Sequence, residues 1–175
     1  MTMTRSQNLI GQVMGAYVLE RVLGYGGTSA VFLARQAEPE REVAIKVFQT
    51  RNGPDGQMTQ DFYQRFLQEA ESASKLDHPN ILPVYSYGQQ DGRPYIVMPY
   101  MPGGTLSDYI EAHGALSLQE AIWYIEQMAS ALDYAHEQGC VHCDVKPANI
   151  LLDSDGQIRL SDFGMVRVSH DSMEE

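Results

Sequence analysis

From Tyr17 to Met101 the chain is written in short apolar runs broken by turn residues, and beyond Met101 its apolar residues fall at helical spacing. This change of period constrains the fold more than any other feature, because strands bury every second residue and helices every third or fourth. YVLERVLG, AVFLAR and REVAIKVF read as three strands. The glycines of GYGGTS join the first two as a hairpin, and RNGPDGQ breaks the chain after the third. A helix is predicted from about Thr59 to Lys75, where Phe62, Phe66, Glu69, Ala73 and Leu76 recur at steps of four and three. ILPVYSYG and PYIVMPYM read as two further strands around the turn-like QQDGR, and MPGGT as a hinge.

Past the hinge, LSDYIEAHG predicts a short helix, and a longer one runs from Leu118 to about Gln138. Ser117 and Glu120 form a capping box at its start, and Gly139 stands where a C-terminal cap belongs. Its expected buried stripe is Ala121, Ile125, Met128, Leu132 and Ala135. Strands with one helix followed by helices and small strands make an α+β fold: a five-stranded antiparallel sheet plus one helix, joined to the beginning of a helical lobe. Residues 1–15 read as a tail, 16–100 as the first lobe and 101–175 as part of the second.

Charge narrows the function. Lys and Arg total 12 against 23 Asp and Glu, a net charge of -11, so the surface repels phosphate backbones and nucleic-acid binding is not expected. The N-terminus lacks the apolar region of a secretory signal, and no run is long enough to cross a bilayer. Two cysteines suit a reducing cytoplasm rather than a disulfide scaffold.

Two charges occupy positions where charge is expensive. Lys46 interrupts the strand VAIKVF on the face of Ala44 and Phe48, and Glu69 lies on the apolar stripe of its helix. An unpaired buried charge costs several kcal/mol, so the simplest arrangement pairs the two across the strand–helix interface. Gly24, Gly26 and Gly27 let the hairpin backbone approach a ligand closely, with N–H groups facing phosphate, and the lysine on the next strand adds positive charge. CVHCDVKPANILLDSDGQIRLSDFG supplies a third part. Asp162 with the side-chain carbonyl of Asn149 could hold magnesium bridging nucleotide phosphates; Asp144 is then free to accept a hydroxyl proton, and Lys146 to neutralise phosphoryl charge. DSDG, by contrast, reads as an ordinary Asx turn.

In order and spacing these segments resemble the first part of a eukaryotic-type protein kinase domain of the bacterial serine/threonine kind. Gly24, Gly26 and Val31 are similar to its Gly-rich loop, Val43 to Lys46 to its V-A-I-K, and Glu69 to the glutamate that pairs with that lysine. His142, Asp144 and Asn149 resemble its catalytic loop, and Asp162 to Gly164 its D-F-G. The resemblance runs from about residue 16 to the end. It implies an enzyme that transfers the ATP γ-phosphoryl group to Ser or Thr hydroxyls of proteins, with ATP and Mg2+ bound. Asp144 would be the base, with Lys146 beside it; Lys46 would hold phosphates; Asn149 and Asp162 would bind metal. Adenine would lie between Ala44 and Leu23 or Val31, against Met98, Tyr100 and Met101, with Met98 limiting its depth. The alternative is a non-catalytic nucleotide-binding or pseudokinase-like module, because the family's A-P-E motif and later helices are not in the sequence. Ser29 replaces the third glycine, and Cys143 stands where the family has arginine, which implies less dependence on activation-segment phosphorylation. Cys140 and Cys143 form a C-x-x-C, for which redox or zinc chemistry is the lesser reading.

Overall fold

The computed structural model describes residues 9–27, 29–48, 60–163 and 167–168; Gly164, the tail before Leu9 and the RNGPDGQ break lie outside them. The chain divides into two compact units, Met1–Ala70 with Val84–Tyr100, and Glu71–Pro83 with Met101–Glu175.

The first unit is built on a six-stranded antiparallel sheet. Its strands are β1 (Val13–Met14), β2 (Tyr17–Tyr25), β3 (Ser29–Gln36), β4 (Arg41–Phe48), β5 (Ser86–Gln90) and β6 (Arg93–Pro99), with α1 (Gln60–Ser74) between β4 and β5. In space they run β1-β2-β3-β4-β6-β5. Alternation puts Phe32, Ala34, Val43, Ile45, Val47 and Val97 on one face, where they form a core with Leu9, Met14, Tyr17 and Leu19. Phe48 and Ile96 project from the other face and pack with Phe66 and Ala70 of α1. Asp91 and Gly92, both at positive φ (49° and 74°), make the two-residue turn between β5 and β6, which suits the twist of the paired strands.

Two expectations need correction here. Residues 9–15 are not a loose tail: Leu9 is 6% exposed, Gly11 N–H donates to Leu19 O at 2.7 Å, and β1 adds a sixth strand. Leu9 and Met14 cover apolar surface that the five-stranded reading leaves open. Within ILPVYSYG, the strand begins only at Ser86. Pro83 has no N–H to give a ladder, and Ile81 and Leu82 instead meet Leu160, with Leu82 N–H donating to its carbonyl at 2.9 Å.

The second unit carries α2 (Leu106–His113), α3 (Leu118–Glu137), the short strands β7 (Cys140–Val141) and β10 (Arg167–Val168), and the hairpin β8 (Ile150–Leu152)–β9 (Ile158–Leu160). Both helices start with capping boxes, Thr105 with Asp108 and Ser117 with Glu120, and Gly139 at φ 73° follows α3. The side that α3 buries differs from the expected stripe. Tyr124, Met128, Ala131 and Ala135 are buried, whereas Ile125 is 65% exposed. This helix is apolar on more than one side, so periodicity alone admits two stripes, and the buried one is rotated toward Tyr124 and Ala131. Segment 77–80 is tied to α3 and β9: Asp77 N–H donates to Tyr134 Oη at 3.1 Å, and Asn80 Nδ2 to Gln127 Oε1 at 2.9 Å and Ile158 O at 3.0 Å. No helix among the described residues is long and apolar enough to cross a membrane.

Candidate active site

In the first unit, the face opposite the main core carries the residues singled out from sequence. Directly paired residues of an antiparallel sheet share a face. Gly24, Val31, Lys46 and Ile96 form one row across β2, β3, β4 and β6, and Leu33, Ala44 and Met98 lie in the next. Lys46 therefore projects on the side where Ile96 and Phe48 meet α1, with Nζ 5.4 Å from the Phe48 ring centroid. Glu69, half-buried, lies on α1 between Phe66 and the buried Ala70 and Ala73. Leu23 is the extra residue of a register shift between Val22 and Gly24.

The turn after β2 closes through Gly26 N–H to Ser29 O at 2.8 Å. A side chain on Gly24 or Gly27 would meet nothing within 4 Å, whereas one on Gly26 would sit 3.0 Å from Ser29 Oγ. The backbone at Gly24 and Gly27 thus faces open space of the kind a phosphate needs. Ser29, at the third-glycine position, is buried.

The second unit gathers Asp144, Lys146 and Asn149. Lys146 Nζ donates to Asp144 Oδ2 at 2.7 Å, and Asn149 Nδ2 donates to Asp144 O at 2.8 Å and Oδ2 at 3.1 Å. The Lys146 ammonium first and the Asn149 amide second hold the Asp144 carboxyl below the usual carboxylate range, outweighing its partial desolvation. A short 3-10 turn, Pro147–Asn149, brings Asn149 back toward Asp144, and Asn149 is only 5% exposed. Its amide nitrogen is spent on Asp144, which leaves Oδ1 as its oxygen for a cation.

His142 holds this loop from beneath. It is 1% exposed; Nδ1 accepts from Asp144 N–H at 3.2 Å, so Nε2 carries the proton and donates to Ser161 O at 2.7 Å. Its ring meets Phe163 edge-on, centroids 4.7 Å apart. Ser161 in turn donates through N–H and Oγ to Asn149 O, at 2.8 and 2.9 Å. The loop and the segment leading to Asp162 are thereby cross-linked at both ends. Cys143 and Asp162 take positive φ, 62° and 66°, a region that residues with side chains adopt uncommonly, Asp more readily than Cys. Sequence reasoning missed Ser161, whose role depends on a partner twelve positions away and leaves no local signal.

Asp153 Oδ1 accepts from the N–H groups of Asp155 and Gln157, both at 2.9 Å, so DSDG is the Asx turn expected. Both cysteines are free thiols. Burial pushes the Cys140 thiol up, away from the thiolate that redox or metal chemistry needs. Among the described residues no group of three or more His, Cys, Asp or Glu is placed to hold a metal.

The first unit carries a glycine hairpin with a lysine on the adjoining strand, and the second an Asp–Lys–Asn loop bonded to Ser161, the residue before a second aspartate. A family model described as "Protein kinase domain" matches residues 17–174, and the chain belongs to that family. It is 46% identical over 158 residues to serine/threonine-protein kinase PrkC of Bacillus subtilis, covering 90% of this chain and 24% of that protein. It is 39% identical over 160 residues to serine/threonine-protein kinase PknB of Mycobacterium tuberculosis, covering 89% and 25%. The crystal structure of a single-residue mutant of the Mycobacterium tuberculosis PknI kinase domain superposes with TM-score 0.76 at 32% identity, covering 94% of this chain and 64% of that one. The chain thus spans about a quarter of the length of these curated relatives.

Proposed function

We propose that this chain carries the nucleotide-handling and proton-accepting parts of a serine/threonine protein kinase, with residues 16–100 as one lobe and 101–175 as part of the next. The observation that carries this reading is the Asp144–Lys146–Asn149 cluster, in which both side-chain contacts to Asp144 fall on Oδ2. Oδ1 is then the oxygen that takes the proton of a Ser or Thr hydroxyl. As that proton leaves, the hydroxyl oxygen bonds to the γ-phosphorus, the bond to the β,γ-bridging oxygen breaks, and ADP departs. Lys146 keeps Asp144 ionised and offers positive charge beside the group in transfer. Lys46, with Glu69 as its partner on α1, orients the ATP phosphates over the open backbone of Gly24 and Gly27, on either side of the turn that Gly26 closes. Leu23, Val31, Ala44, Met98, Tyr100 and Met101 enclose the adenine, with Met98 limiting its depth.

One amide oxygen and one carboxylate, Asn149 Oδ1 and Asp162, suit magnesium, which takes few protein ligands and keeps water and phosphate for the rest. When bound there it neutralises phosphate charge. The acidic balance favours protein substrates over nucleic acid, and two free thiols favour the reducing cytoplasm.

The test is the purified chain with radiolabelled ATP and a Ser/Thr substrate protein, beside Lys46→Met and Asp144→Asn. Lys46→Met should weaken ATP binding, whereas Asp144→Asn should spare binding and cut transfer by about 10²- to 10⁴-fold. Undiminished transfer by Asp144→Asn would overturn its role; binding without any transfer would favour the non-catalytic module.

A further inference from the structure

The row that contains Leu33, Ala44 and Met98 continues onto β2 as Arg21, which pairs with Leu33. Arg21 therefore stands on the proposed nucleotide face, at the far end of the row from Met98. Register shifts flank it, one between Leu19 and Arg21 and one between Val22 and Gly24, and bulges of this kind re-aim side chains. β3 and β4 separate β2 from β6, so Arg21 and the end of β6 are three strand spacings apart, about 14 Å. Arg21 nevertheless reaches the residue after β6. Its Nη2 donates to Tyr100 Oη at 3.1 Å, and its guanidinium carbon lies 5.9 Å from the Tyr100 ring centroid. The bond ties together two segments that no backbone ladder joins: the strand entering the glycine turn and the segment following Met98.

We propose that Arg21 and Tyr100 form a positioning clamp that holds these two segments at fixed separation and so sets affinity for the adenosine part of the nucleotide. The inference rests on the kinase reading above. Leu23 and Gly24 follow Arg21 by two and three positions, and Tyr100 follows Met98 by two, so both sides of the proposed adenine pocket are anchored through this contact. A hairpin released from the clamp must be re-ordered by each ligand that binds, and that ordering is subtracted from affinity. Arg supplies both the hydrogen bond and the planar cation over the ring, a combination lysine cannot reproduce.

The experiment is calorimetric titration of the 175-residue chain with ATP, adenosine and inorganic tripolyphosphate, each with magnesium, alongside thermal melts. Arg21→Ala and Tyr100→Phe should each weaken ATP and adenosine by a common factor of about three- to tenfold, the range of one lost hydrogen bond. Tripolyphosphate binding should stay within about twofold, and the double variant should bind no worse than the weaker single one, as coupled partners require. Arg21→Lys should fall between wild type and Arg21→Ala. Lys46→Met should give the converse pattern, losing ATP and tripolyphosphate but keeping adenosine. If Lys46→Met shows that pattern while the Arg21 and Tyr100 variants bind adenosine normally, the clamp is wrong and the kinase reading stands. A loss confined to tripolyphosphate would make Arg21 a phosphate-attracting charge and overturn the clamp, as would additive single effects. A wild-type chain that binds no ATP would overturn both proposals. Tyr100→Phe removes one oxygen only, so a normal melt with weakened adenosine binding separates the clamp from a folding defect.

Discussion

Replacing His142 by Phe tests whether the loop bearing Asp144 is held by the imidazole or merely fills around it. Phe keeps the ring volume and the edge contact with Phe163, so cavity and aromatic contributions change little. What disappears is two hydrogen bonds, one from Asp144 N–H and one to Ser161 O. Ser161 is 7% exposed, so its carbonyl loses its imidazole donor with little water to replace it; Asp144 is only half-buried, and its N–H regains some hydration. At about 1–3 kcal/mol per stranded group, with Asp144 at the low end, the variant should lose about 2–4 kcal/mol. For a chain of this length that lowers Tm by roughly 4–16 °C. Both lost bonds end on backbone beside proposed catalytic groups, so kcat should fall as well, by about 10²-fold for a displacement near 1 Å. Urea unfolding followed by fluorescence reads the first quantity, and single-turnover phosphoryl transfer the second. A stability loss under about 0.5 kcal/mol together with unchanged kcat would refute the view that His142 positions this loop.

Lys146→Met removes the first cause of Asp144's lowered pKa, so that pKa should rise toward the ordinary aspartate value. A base is active only when deprotonated, so the acid limb of the kcat profile should move to higher pH. The sign for folding agrees: a depressed carboxylate stabilises above its unfolded pKa and loses that contribution as pH falls through the folded pKa, so the variant should be less acid-sensitive. An acid limb that does not move would show that Lys146 leaves Asp144 unaffected. On α3, Met128→Ala should cost about 2–5 kcal/mol, whereas Ile125→Glu should stay within about 0.5 kcal/mol. The reverse order in urea titrations would restore the stripe through Ile125.

Elements and motifs whose partners lie close in the chain are legible in the sequence by itself. β4 runs over REVAIKVF as read, both ends of α3 fall where the Ser117–Glu120 box and Gly139 put them, and the Asp153 turn is made by its own neighbours. Asp144, Lys146 and Asn149 meet within six residues, so a short turn suffices to assemble them. Local hydrogen bonds and side-chain periodicity depend on covalent neighbours, which a sequence states outright. Other features depend on which surfaces meet. Tertiary packing selected Tyr124 and Ala131 over Ile125 on a helix apolar on several sides, recruited Val13 and Met14 as a sixth strand, and withheld Ile81 and Leu82 from β5. It also joined Ser161 to Asn149, His142 to Ser161 and Arg21 to Tyr100, across 12, 19 and 79 positions. Such contacts form only after loop closure has been offset by the burial of the whole core, so no single stretch of sequence carries their signature.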